Sequence, residues 1–92
     1  MSEPLEIAVQ MTPNPNAMKF TLNRVVATQG RTYRHSGDVS AVDPEWVKQL
    51  LGITGVTQVF ALGNFISVNK GPDGDWGLIA PQVEQVLRTS FA

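Results

Sequence analysis

The chain is expected to reverse direction at Thr12-Pro13-Asn14-Pro15-Asn16-Ala17-Met18-Lys19-Phe20. Each proline fixes its own φ near about −65° and drives the residue before it into extended backbone, which restricts Thr12 and Asn14. Asparagine side chains bond backbone groups about two residues further along, so Asn14 and Asn16 favour a compact, self-bonded connection. Residues 12–16, called the Pro-Asn loop below, therefore predict a rigid turn.

Alternating apolar residues on both sides of this loop predict a β-hairpin. Apolar and mostly polar positions alternate over residues 5–11 and again over residues 17–22. A period of two residues is typical of half-buried strands. In the second strand Phe20 points to one face, and Lys19 and Thr21 point to the other.

A second hairpin is predicted around Gly63-Asn64, which separates the apolar segments 56–62 and 65–69. A two-residue loop would pair Ala61 with Ile66 and Val59 with Val68. The face opposite these pairs would then carry Phe60, Leu62 and Phe65. A four-residue loop, which would change this register, is the alternative.

Two amphipathic segments predict helices. Asp43-Pro44-Glu45 has an N-cap residue, a proline for the first helical position and an acid for the first turn, and apolar residues follow at helical spacing. A second helix is expected to run from Trp76, capped by Asp75, toward Ser90. Because Pro81 lacks an amide hydrogen, the sequence also allows this helix to begin later, near Ala80.

The order strand, strand, helix, strand, strand, helix predicts an α+β fold. It has two layers, an antiparallel four-stranded sheet and two helices on one of its faces. The other sheet face is expected to be at least partly open to solvent. Between Asn23 and Ser40 the pattern is weak, and it allows one more short strand around residues 31–35.

Composition favours a single domain spanning residues 1–92. The chain is 42% hydrophobic and 16% charged, as in globular proteins, and its formal net charge is −1. So small a charge gives no general attraction to nucleic acid or to acidic membranes, and neither partner is expected. Because no stretch has the length of a membrane span and the N-terminus lacks the pattern of a signal peptide, the expected location is cytoplasmic.

Several segments resemble the N-terminal domain of Nfu/NifU-type iron–sulfur cluster scaffold proteins. The resemblance is carried by the Pro-Asn loop with the four residues after it, by Leu50-Leu51-Gly52-Ile53-Thr54-Gly55-Val56, by Val59-Phe60, by Asn64-Phe65-Ile66-Ser67-Val68-Asn69-Lys70 and by Asp75-Trp76. These pieces follow the family's order and cover nearly the whole chain.

The resemblance implies an accessory role in iron–sulfur cluster assembly or delivery. Full scaffolds have a second domain whose Cys-x-x-Cys pair holds the cluster, whereas this chain contains no cysteine. Since clusters are held by thiolates, the chain is expected to bind none itself and to act as a stand-alone adaptor. Its implied partners are a scaffold, a cluster donor or an apo-protein recipient. Asn64 also departs from the family, which usually has Asp there.

The sequence shows no catalytic constellation, and we expect no enzymatic activity. There is no cysteine nucleophile, no phosphate-binding loop and no dinucleotide motif, and the single histidine has no evident partners. Direct iron binding is an alternative function, using ligands such as His35, Asp73 and Asp75, but their spacing shows no facial arrangement. Recruitment to an unrelated interaction is a further alternative.

Two candidate partner-binding surfaces follow from these patterns. The first is the Pro-Asn loop with Asn14, Asn16 and Lys19. The second is the predicted open sheet face with Phe60, Leu62 and Phe65, since exposed aromatic and apolar clusters are typical of contact sites. No catalytic, cofactor-binding or metal-binding residue is predicted.

Overall fold

A computed structural model describes residues 4–34 and 44–91. Five strands and two helices occur in these ranges: β1 (Ile7–Met11), β2 (Ala17–Leu22), β3 (Ala27–Tyr33), α1 (Glu45–Leu51), β4 (Val56–Gly63), β5 (Phe65–Lys70) and α2 (Trp76–Phe91). The strands form one sheet in the order β1-β2-β5-β4-β3, and all neighbours are antiparallel. The α+β class is confirmed.

The prediction of a four-stranded sheet was wrong, because β3 adds a fifth strand beside β4. Tyr33 pairs with Val59, and the register shifts between Ala27 and Arg31. This irregular strand starts earlier than the short strand expected around residues 31–35, whose last residue lies outside the described ranges. Gly30 interrupts the sequence pattern, but a Cβ there would lie 3.3 Å from the Phe60 ring. The glycine therefore lets an aromatic ring of the neighbouring strand lie close to the β3 backbone.

The two predicted hairpins are confirmed. In the second, Ala61 pairs with Ile66 and Val59 pairs with Val68, which is the register expected for a two-residue loop. Gly63, the first loop residue, has φ +59°. A positive φ at this position is typical of tight hairpin turns that match the twist of the strands.

The helix boundaries differ in detail from those predicted. Pro44 has extended backbone, with φ −61° and ψ 144°, and precedes α1 instead of occupying its first turn. The predicted cap Asp43 lies outside the described residues. At the second helix Asp75 accepts a hydrogen bond from the Gly77 amide (2.8 Å), so α2 starts at Trp76 and includes Pro81. The later start near Ala80 is therefore wrong.

Both helices cover the same face of the sheet. Buried side chains of the sheet and both helices form one apolar cluster that includes Phe20, Val59, Ile66, Leu50 and Val83. Neither of the two described helices lies over the opposite face of the sheet. This arrangement leaves a broad strand surface for contacts with other molecules.

Candidate partner-binding surfaces

Strand register brings four of the six predicted site residues onto the uncovered sheet face. One cross-strand row runs from Lys19 through Ser67 to Phe60, and the next runs from Thr21 through Phe65 to Leu62. Directly opposed residues of neighbouring strands point to the same face. These six residues, called the open face below, form a continuous patch over the three central strands: Lys19, Thr21, Phe60, Leu62, Phe65 and Ser67.

Aromatic contacts organise the centre of the open face. The ring centroids of Phe60 and Phe65 are 6.0 Å apart and their planes are tilted by 43°. The Lys19 ammonium lies 4.5 Å from the centroid of the Phe65 ring, within cation–π distance. Leu62 is 39% exposed. The patch therefore combines apolar contact area with one positive charge held close to it.

The formal charge of the open face is positive and comes from one residue. Among the described strand residues that point to this side of the sheet, Lys19 is the one with a formal charge. Its neighbours across the strands are hydroxyl, amide and apolar side chains. No carboxylate in these strands neutralises it, so an anionic group on a partner would find a positive charge beside an apolar surface.

The Pro-Asn loop is held together by its own side chains. The Asn14 side-chain oxygen accepts a hydrogen bond from the Asn16 amide at 2.9 Å. The Thr12 hydroxyl lies 2.8 Å from the carbonyl oxygen of Asn14 and accepts from the Asn14 amide at 3.2 Å. Ala17 closes the turn, because its amide donates to the Asn14 carbonyl at 3.0 Å. The self-bonded turn expected from the sequence is present.

Contacts from the end of β5 and from the start of α2 fix the loop to the rest of the fold. The Trp76 indole donates to the Pro15 carbonyl (3.0 Å), and the Lys70 ammonium donates to the Asn16 side-chain oxygen (3.0 Å). Trp76 was missed as a site-forming residue, although the Asp-Trp pair belonged to the family resemblance. Asn14 and Asn16 thus stabilise the loop, and neither belongs to the two cross-strand rows of the open face.

Replacing Asn14 with alanine should lower the free energy of unfolding by about 1 kcal/mol, the usual contribution of one such hydrogen bond. The loss arises because the Asn16 amide loses its acceptor in the loop. Chemical denaturation followed by tryptophan fluorescence measures it. Asn14→Asp is the matched control, since a carboxylate keeps an acceptor at the same place. Equal destabilisation by both variants would contradict the role given to this hydrogen bond.

Iron ligands do not converge in the described part of the chain. Across residues 4–34 and 44–91 no group of three or more His, Cys, Asp or Glu residues is arranged to hold a metal ion. Asp75 instead caps α2 through its contact with Gly77. His35 lies outside the described residues. No observation here favours the iron-binding alternative.

None of the helices in the described ranges is long and apolar enough to cross a membrane.

The fold and the open face define a class, namely a small α+β domain with helices on one side of an antiparallel sheet and an apolar, singly charged patch on the other. Residues 7–92 match the family described as scaffold protein Nfu/NifU N terminal. The chain belongs to this family.

The chain is similar to part of several curated proteins. The NFU1 iron-sulfur cluster scaffold homolog, mitochondrial, of Drosophila virilis is 38% identical over 86 residues, which are 94% of this chain and 29% of that protein. Conserved virulence factor C of Staphylococcus aureus is 35% identical over 79 residues, or 85% of this chain and 20% of that protein. The chain thus spans less than a third of the length of these two curated relatives.

Solved structures share the fold. The crystal structure of protein SAV1430 from Staphylococcus aureus superposes with a TM-score of 0.78 at 33% identity, covering 89% of this chain and 98% of that one. The solution structure of a NifU-like protein from Saccharomyces cerevisiae superposes with a TM-score of 0.82 and covers 97% of this chain and 81% of that one. At 23% identity, the yeast comparison supports the fold alone.

Proposed function

We propose that this domain is a non-catalytic adaptor in iron–sulfur cluster assembly or delivery and that its open face binds the partner protein. The observation that carries the proposal is the uncovered patch of Phe60, Leu62 and Phe65 beside the single charge of Lys19. Membership in a scaffold family supports a role in iron–sulfur cluster assembly or delivery, and the patch offers a surface for contact with a partner protein.

The chemistry of the patch suggests what the partner offers. Half-buried aromatic rings with an exposed leucine at the rim can bury apolar side chains, and such aromatic residues often dominate binding energy. The Lys19 ammonium over the Phe65 ring can then pair with a carboxylate at the edge of the contact. We therefore propose a partner surface with apolar residues and a neighbouring acid.

The cluster itself would be held by the partner. The chain has no cysteine, and thiolates are the ligands that iron–sulfur clusters require. The partners proposed are a cysteine-bearing scaffold, a cluster donor and an apo-protein recipient. The cytoplasmic location expected from the sequence stays a prediction, since the Drosophila relative is named as mitochondrial.

A titration with a purified Cys-x-x-Cys domain of an Nfu-type scaffold tests the proposal. We expect saturable binding by the 92-residue chain in anaerobic calorimetry, with the probe either free of cluster or loaded. The double substitution Phe60→Ser and Phe65→Ser should weaken binding at least about 30-fold, the effect of losing a central contact of about 2 kcal/mol. Lys19→Ala should weaken it less and should make the affinity less sensitive to salt.

The matched control is Leu78→Ser, which removes an apolar side chain that is 67% exposed on α2. We expect this variant to bind like the wild type, because its side chain lies in the helical layer. Equal weakening by Leu78→Ser and by the phenylalanine double substitution would contradict the open face as the contact surface. Absence of binding to a scaffold domain, a cluster donor and an apo-protein recipient alike would contradict the adaptor role.

A further inference from the structure

In the part of the chain that the structure describes, β1 is an edge strand without the usual protection against pairing with another strand. Among the described strands it bonds only to β2, in a continuous register from Ile7 with Leu22 to Met11 with Met18. None of its five residues is charged and none is proline. Proteins normally protect edge strands with lysines, prolines, bulges or covering segments.

The other edge of the sheet differs. The register of β3 against β4 shifts between Ala27 and Arg31, and the strand carries the charge of Arg31. Both features disfavour the docking of a further strand. Of the two edges of the described sheet, β1 is therefore the one suited to strand addition.

Backbone direction shows which groups β1 presents outward. The Asn23 amide donates to the Glu6 carbonyl at 3.2 Å, so the alternation of an antiparallel ladder turns the backbone groups of Ala8 and Gln10 toward β2. The amides and carbonyls of Ile7, Val9 and Met11 then point away from the sheet.

The helices stop short of this edge. On the helical side of the sheet, the side chains of Val9 and Met11 are 42% and 65% exposed. They form an apolar ridge along β1. The outward backbone groups of the same strand are able to form hydrogen bonds with an added strand. A strand that docks on β1 would thus gain backbone hydrogen bonds and apolar contacts together, without displacing α1 or α2.

We infer that a second copy of this chain pairs with β1 in antiparallel fashion about a two-fold axis at Val9. In this register Val9 faces Val9 of the partner subunit, and Ile7 faces Met11 of the partner subunit. The residues of these opposed pairs have backbone groups that point outward, so each of these pairs can exchange both of its hydrogen bonds. The two apolar ridges also meet on one face of the joined sheet.

Charge also favours a second copy. The charged residue next to β1 in the sequence is Glu6, which would face Thr12 of the partner subunit, so no like charges are opposed along the paired strands. Because β3 is unsuited to pairing, the contact closes as a dimer instead of extending into a fibre. A contact through one short strand is smaller than a standard interface, and the dimer is weak and dependent on concentration.

Sedimentation velocity over about 10 µM to about 1 mM protein measures this association. We expect the apparent mass to rise from 10.0 kDa toward twice that value. Val9→Lys should weaken association at least about tenfold, because it places like charges opposite each other across the two-fold axis. Ala8→Lys adds the same charge on the other face of the strand, opposite Gln10 of the partner subunit, and should associate like the wild type.

A mixture of two variants tests the position of the axis directly. Val9→Lys and Val9→Glu should each associate poorly alone, and their equimolar mixture should regain the dimer, which a folding defect would not produce.

In the wild type, amide exchange should slow with concentration at Val9 and Met11 but not at Ala8 and Gln10. A constant mass over the whole range, or association of Val9→Lys equal to the wild type, would overturn the proposal. Protection of the edge amides at constant mass would assign the edge to another occupant and would also overturn it.

Discussion

Replacing Phe20 with alanine is expected to lower the free energy of unfolding by about 4 kcal/mol, within the range measured for buried phenylalanines in other proteins. The side chain is 0% exposed and lies in β2. Phe20 pairs with Val9 on one side and with Ile66 on the other and belongs to the apolar core, so its loss leaves a cavity on the helical side of the sheet. Urea denaturation followed by tryptophan fluorescence measures the change.

The adjacent residue supplies the control for this substitution. Thr21→Ala changes the same strand on the half-buried opposite face, and we expect a loss below about 1 kcal/mol. If the Phe20→Ala chain does not fold, Phe20→Leu, with an expected loss of about 1 kcal/mol, keeps the measurement accessible. A loss below about 2 kcal/mol for Phe20→Ala, or one equal to that of Thr21→Ala, would contradict the central position of Phe20 in the core.

Replacing Gly55 with alanine is expected to lower the free energy of unfolding by about 3 kcal/mol, since two penalties combine. Gly55 has φ +99°, where residues with a Cβ are strained. An added Cβ would also lie 2.9 Å from Cδ1 of Ile79, whose side chain is 1% exposed and has little room to move. The substitution would therefore strain the turn before β4 and press on the start of α2.

Two other glycines separate the contributions to this loss. Gly63 has φ +59° and no atom within 4 Å of an added Cβ, so Gly63→Ala should cost about 1 kcal/mol from the backbone alone. Gly52 has φ −80° and a nearest contact of 3.5 Å, so Gly52→Ala should change stability by less than about 0.5 kcal/mol. Similar losses for all three substitutions in the same denaturation assay would contradict the contact between Gly55 and Ile79.

Much of the fold could be predicted because its signals are local. The period of two residues in β2, β4 and β5 sets which side chains face the helices, and Gly63-Asn64 sets the register between the last two strands. That register placed Phe60, Leu62 and Phe65 on one face from sequence alone. The sequence allowed β3 only as a short strand around residues 31–35, because Gly30 interrupts the alternation and the register shifts between Ala27 and Arg31.

The contacts of the predicted site residues could be inferred only in part from the sequence. Some of these contacts join strands that are distant along the chain, and others hold the Pro-Asn loop together. Lys19 joins the open face through the Phe65 ring, a contact between strands that are distant in the sequence. Asn14 and Asn16 are predicted to bind a partner, and this stays a prediction; in the structure the Asn14 side chain bonds within the Pro-Asn loop and the Asn16 side chain bonds to Lys70. A turn motif by itself does not show whether its polar groups serve the loop or a ligand.

The sequence by itself determined the turns, the alternation of the strands and the absence of thiolate ligands, because each depends on residue types or on neighbours along the chain. Tertiary structure decided the rest. Pairing across the sheet placed Lys19 over Phe65 and left β1 as the unprotected edge, and the packing of α2 brought Trp76 to the Pro15 carbonyl. These features depend on which distant segments pack together. The native packing minimises the free energy of the whole chain, and it cannot be inferred from the local preferences of any one segment.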